Sequence, residues 1–151
     1  MKFLLIEDDS NKSKQIIDFL EEEYPRAKTV LRRSYQSGLK EIFTNDFDII
    51  FLDMQLPTFD IKSGEDGYKF RKLAGVDILN EIKRKKKEAK IIIVTQFETF
   101  GEGSYYIELA NLKNSLIDEF EGLYLDTVFY NAGQTSWKHD LSALINSNIP
   151  L

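Results

Sequence analysis

Three short apolar runs, each closing on an oxygen-bearing side chain, constrain what this chain can fold into more than any other feature. Lys2-Phe3-Leu4-Leu5-Ile6 leads into Glu7-Asp8-Asp9. Phe47-Asp48-Ile49-Ile50-Phe51-Leu52 leads into Asp53 and then Met54-Gln55-Leu56-Pro57. Lys90-Ile91-Ile92-Ile93-Val94 leads into Thr95. Apolar runs of this length, bounded by charge or by a proline-containing loop, read as buried strands. Laid side by side and parallel, they bring three or four acidic groups and a hydroxyl to one edge of a sheet.

Helical patterns alternate with these runs. Asp9 or Ser10 is expected to cap a helix with Ile16, Ile17, Phe19 and Leu20 on one side, and Tyr24-Pro25 to end it. Thr29-Val30-Leu31 reads as a short edge strand. Ser34 is placed to cap a second helix carrying Leu39, Ile42 and Phe43. A third helix is expected from Val76, with Ile78, Leu79 and Ile82, ending in the basic run 83–87, which complements the helix dipole. A fourth is expected to include Ile107, Leu109, Leu112, Leu116, Ile117 and Phe120. The last strand is read as 124–130, and the last helix from near Ser136 with Leu141, Leu144 and Ile145.

Five strand-helix units predict an α/β fold, an open five-stranded parallel sheet with helices on both faces. The 151 residues suit a single domain, 1–151, with an insert at about 58–74. That stretch and the one from Gln96 to about Tyr105 are long for connections in such a fold. Both leave strand ends that carry an acid or a hydroxyl, the edge where open α/β sheets bind ligands.

Composition narrows the function. A net charge of −5 and a pI near 5.0 argue against a nucleic-acid binder that works by neutralising phosphates. The absence of cysteine excludes thiol catalysis, disulfides and thiolate metal sites. The charged start does not read as a signal peptide, and no apolar stretch approaches the roughly 20 residues of a membrane span. A cytoplasmic location with no membrane partner is the expectation. His139, the only histidine, is read as a surface residue with no Ser-His-Asp set around it. Trp137 is read as packing, as are the aromatics of Phe97 to Phe100 and Tyr105-Tyr106. Gly64 and Gly67 suggest a flexible insert.

Carboxylates gathered at adjacent strand ends repel one another, at about 4 kcal/mol per pair for 4 Å and an effective dielectric near 20. A divalent cation removes that penalty. Oxygen ligands without histidine or cysteine favour Mg2+ over zinc or copper.

The ordered set resembles the receiver domain of two-component response regulators, the CheY-like family, over nearly the whole chain. Phe3 to Asp9 looks like the family's first strand with its acidic pair, and Asp48 to Pro57 like the phosphoacceptor strand and its turn. Gly75-Val76-Asp77-Ile78-Leu79 is similar to the start of the third helix, and Ile92-Ile93-Val94-Thr95 to the fourth strand with its hydroxyl. The resemblance implies a flavodoxin-like sheet of order 2-1-3-4-5. It implies that Asp53 is the phosphoacceptor and that Asp8 and Asp53 bind Mg2+ directly. Glu7 would act through water and Gln55 through its backbone carbonyl, while Thr95 moves to the new phosphoryl group.

Three departures stand out. The family's lysine at the end of the fifth strand is replaced by Tyr130, with Asn131 where proline is usual. The segment between Pro57 and Gly75 is extended, and Gln96 stands where a small residue is common. The expected function is a stand-alone receiver, not an enzyme, phosphorylated by a histidine kinase or phosphotransfer protein and signalling by contact with a downstream protein. The alternative is a degenerate receiver, a phosphorylation-independent interaction module. A phosphohydrolase would need a substrate pocket and a general acid that the sequence does not supply.

Overall fold

The computed structural model describes residues 1–60, 70–96, 99–100 and 107–149, with only the backbone considered for 99–100 and 107–110. Its centre is a five-stranded parallel sheet built from β1 (Lys2–Ile6), β2 (Lys28–Arg32), β3 (Ile49–Leu52), β6 (Ile91–Thr95) and β9 (Tyr124–Phe129). The strand order is β2-β1-β3-β6-β9. This is the 2-1-3-4-5 order once the short strands are set aside.

Alternation along each strand explains why the runs are apolar throughout. Phe3, Leu5, Ile49, Phe51, Ile92 and Val94 face one helix layer, where Ile16 and Phe19 pack with Trp137 and Leu141. Leu4, Ile6, Ile50, Leu52, Ile91 and Ile93 face the other, with Ile42, Ile78, Leu112 and Leu116. A strand covered on both sides has no polar face to spare. Helices α1 (Ser10–Glu23) and α5 (Ser136–Asn148) form the first layer, and α2 (Tyr35–Thr44), α3 (Ala74–Arg84) and α4 (Leu109–Glu119) the second.

Local chemistry sets the helix starts. The Asp9 carboxylate accepts from the Lys12 backbone N–H at 2.8 Å and caps α1, which Tyr24 ends. Ser34 caps α2 in a reciprocal box with Ser37. Helix α3 begins at Ala74, two residues ahead of the expected Val76. Gly75 makes that start possible: a Cβ there would lie 2.9 Å from Leu52 Cδ1 and 3.1 Å from Met54 Sδ. The basic run after Ile82 is largely exposed, as expected. Lys83 nevertheless bonds the Glu119 carbonyl, and Lys87 pairs with Asp46 at 2.8 Å.

Both long connections begin and end in short antiparallel ladders. Strand β4 (Leu56–Pro57) pairs with β5 (Phe70–Arg71), and β7 (Thr99–Phe100) with β8 (Ile107–Glu108). Ile107, expected in the fourth helix, therefore lies in β8, because backbone pairing with Phe100 holds it extended. Phe120 falls just past α4 but is buried, and Ile117 is half exposed. The last strand stops at Phe129, one residue short of the expected end. Phe97, Gly64, Gly67, Tyr105 and Tyr106 lie outside the described residues.

Candidate functional site

Residue parity places the acidic groups. Continuing the alternation that sends Phe3 and Leu5, or Ile49 and Phe51, toward α1 and α5 sends Glu7 and Asp53 to that same side. The strands are in register, Ile6 opposite Leu52, and the Asp53 N–H donates to the Ile6 carbonyl at 3.1 Å. One carboxylate oxygen from each of Glu7, Asp8 and Asp53 lies within 4.8 Å of the others. The three acids predicted as ligands thus converge on one point. Glu7 and Asp53 are buried and Asp8 is half-buried.

Thr95 ends β6 and is fully buried. Its carbonyl accepts from the Tyr130 N–H at 2.7 Å, which ties the ends of β6 and β9 together. Gln55 sits partly buried on the turn that leads from Asp53 into β4. Tyr130, which stands where a lysine was expected, points its hydroxyl at Gln15 Oε1 (2.8 Å). His139 is exposed and Trp137 is fully buried, both as expected. Trp137 packs at 5.2 Å between ring centroids on Tyr130.

One residue of the site was missed from sequence. Lys12, in the first turn of α1, is only 2% exposed. Its ammonium donates to Glu7 Oε2 at 2.7 Å and to the Val94 carbonyl at 2.7 Å, and lies 3.3 Å from Asp53 Oδ1. Three acceptors therefore meet three N–H donors, the condition for holding a buried ammonium. The signal was present in the spacing: Lys12 precedes Ile16 by four and Phe19 by seven, on the stripe that faces the core.

The electrostatics show a cluster short of positive charge. Burial first, and then the Asp53 carboxylate, raise Glu7 from 4.5 to about 8, against the opposing pull of Lys12. Burial also raises Asp53, opposed by Lys12 and by the Met54 N–H, which donates to Asp53 Oδ1 at 2.7 Å. Asp8 is raised by burial and by Asp53. Burial pulls Lys12 down, but Asp53 and Glu7 outweigh it and hold the ammonium above the usual lysine range. One ammonium does not neutralise three carboxylates. The all-oxygen donor set and its raised carboxyls fit a hard divalent cation.

The described surface also carries a groove of about 790 Å3, lined by Asp46, Phe47, Lys87, Lys90 and Leu123. Those residues precede the strands, so the groove lies at the edge opposite Asp53 and takes no part in the site. Among the described residues, no helix is long and apolar enough to cross a membrane.

A parallel sheet of this order is the flavodoxin-like fold. Solved receivers superpose on it. A response regulator receiver domain from Clostridium thermocellum superposes with a TM-score of 0.61 at 28% identity, covering 98% of this chain and 93% of that one. The response regulator TrrA of Thermotoga maritima, solved in complex with Mg2+ and BeF, superposes at 0.60 with 20% identity, covering 95% and 97%. No family profile matches the chain. The Detocs response regulatory protein DtcB of Enterobacter cloacae is 31% identical over 144 residues, 93% of this chain and 95% of its own length. The uncharacterized protein y4jR of Sinorhizobium fredii is 28% identical over 152 residues, all of this chain and 99% of the relative. The chain belongs to the response regulator family, as a receiver domain of two-component signalling.

Proposed function

We propose that the protein is a receiver that accepts a phosphoryl group on Asp53, with Mg2+, from a histidine kinase or phosphotransfer protein. The observation that supports this reading is the meeting of Glu7, Asp8 and Asp53 within 4.8 Å at the carboxyl edge, with Thr95 ending the strand that pairs with β3. Asp53 Oδ1 is engaged by the Met54 N–H and the Lys12 ammonium. These donors orient the carboxylate, and Oδ2 attacks phosphorus in line. The new Oδ2–P bond forms as the donor's P–N bond breaks, and the leaving imidazole keeps the electron pair. Glu7, Asp8 and Asp53 would hold the Mg2+ together with the Gln55 carbonyl, and the ion supplies charge stabilisation to the transferring oxygens. Thr95 supplies a hydroxyl at the neighbouring strand end, and its engagement of the phosphoryl group would re-pack the α4 side to transmit the state by protein contact.

Acetyl phosphate tests this directly, with acetate as the leaving group. Incubation with Mg2+ should add one alkali-labile phosphate by intact mass, and Asp53→Asn should not carry it. No adduct, or an adduct that persists in Asp53→Asn, overturns the reading. The second reading, a phosphorylation-independent interaction module, is favoured by the Lys12 ammonium seated on the acceptor carboxylate. Partner binding that is independent of metal and unchanged in Asp53→Ala would select it.

A further inference from the structure

Strand β9 and the residues after it, Tyr130-Asn131-Ala132-Gly133, bring no cation to the site. The positive charge comes from a different element. We infer that Lys12 is the cation that holds the phosphoryl group on Asp53, supplied by the first turn of α1 in place of a lysine at the end of β9. This rests on Asp53 being the acceptor.

Burial gives the first argument. A lysine stem ordinarily lets the ammonium reach water, yet Lys12 is 2% exposed and its ammonium is spent wholly on strand ends. Geometry gives the second. The contacts to Glu7 Oε2 and the Val94 carbonyl are both 2.7 Å, and they fasten the ammonium to β1 and β6. The Asp53 contact is the longest, at 3.3 Å, and is the one free to be exchanged for a phosphoryl oxygen. The Tyr130 ring backs the ammonium at 5.7 Å, its hydroxyl turned away to Gln15.

Charge gives the third. A carboxylate carries one negative charge, whereas a phosphoryl group carries about −1.5 to −2. Transfer to Asp53 therefore raises the demand for positive charge at a place where, among the described residues, Lys12 already pairs with the acceptor carboxylate at 3.3 Å. The same residue serves both states. Before transfer it neutralises part of the Glu7 and Asp53 repulsion, and afterwards it pairs with the phosphoryl oxygens.

The test compares wild type, Lys12→Met and Lys12→Arg. Adduct occupancy and half-life with acetyl phosphate are read by intact mass, and Mg2+ affinity by the fluorescence of Trp137, the only tryptophan. Loss of a hydrogen bond to a charged group predicts an adduct about tenfold or more shorter-lived or scarcer in Lys12→Met. Lys12→Arg should stay within about threefold of wild type, because it keeps the charge. Mg2+ should bind Lys12→Met at least as tightly as wild type, because a competing positive charge is gone.

A wild-type adduct that is equally abundant and long-lived in Lys12→Met overturns the inference and leaves Asp53 as acceptor. Loss of the adduct in both variants, together with Mg2+ binding and the wild-type circular dichroism, also overturns it, since Lys12 would then be a structural tie. No adduct on wild type overturns the acceptor reading, and this inference with it.

Discussion

Raising the pH from about 5.5 to about 7.5 in EDTA is expected to destabilise this protein, and the cause is the buried carboxylate cluster. Glu7 moves from an ordinary 4.5 to about 8 in the fold, chiefly through burial and then through Asp53. Between those values the unfolded chain has released the proton while the folded chain keeps it. The folded state binds more protons, so stability falls as pH rises through the window, and the penalty is absent only below about 4.5. One such group contributes about 1.4 kcal/mol per pH unit, hence about 2–3 kcal/mol over the two units. Asp53 and Asp8 are raised as well and act with the same sign. Urea midpoints followed by Trp137 fluorescence measure the slope, and Glu7→Gln is expected to remove most of it. Saturating Mg2+ should flatten or reverse the slope, because it binds the ionised carboxylates of the folded state alone. A midpoint that is level or rising with pH in EDTA, or an unchanged slope in Glu7→Gln, would refute the reasoning.

Three further substitutions probe the scaffold. Gly38→Ala should lower the melting temperature by several degrees, because the new Cβ meets Ile6 Cδ1 at 2.6 Å and Cγ2 at 2.9 Å. Overpacking of about 1–3 kcal/mol outweighs the roughly 1 kcal/mol of helix propensity, and a raised melting temperature would contradict this. Tyr130→Phe loses the 2.8 Å bond to Gln15, about 1 kcal/mol of stability, and should leave acetyl-phosphate labelling unchanged. Abolished labelling would show that the hydroxyl serves the site. Ser34→Ala removes the fully buried α2 cap, costs about 1 kcal/mol by denaturation, and should not alter Mg2+ affinity.

Much of the architecture was legible because burial on both faces leaves a strong imprint. Only a covered parallel strand tolerates four or five consecutive apolar residues, so β1, β3 and β6 stood out along with the acids and hydroxyl that end them. The caps at Asp9 and Ser34 were readable because their side chains satisfy N–H groups within the same turn. The start of α3 was not, since it depends on Gly75 sitting against Leu52 and Met54. Nor was the extended state of Ile107, which rests on pairing with Phe100. Long-range contacts decide such boundaries, and local pattern does not contain them.

The candidate site divides along the same line. Sequence alone determined that Glu7, Asp8, Asp53 and Thr95 would stand at the carboxyl ends of strands, because strand pattern fixes where a terminal residue emerges; that those strands are neighbours was implied by the family resemblance and is seen in the sheet order. Sequence also determined that no lysine stands at the end of β9, the next one, Lys138, belonging to the following helix. Only the tertiary structure decided that a lysine from α1 enters the cluster, seated on Glu7 and Asp53 across three strand ends. Helical spacing puts Lys12 on the inward stripe, but which groups it meets depends on how α1 lies on the sheet. That packing is a property of the whole core.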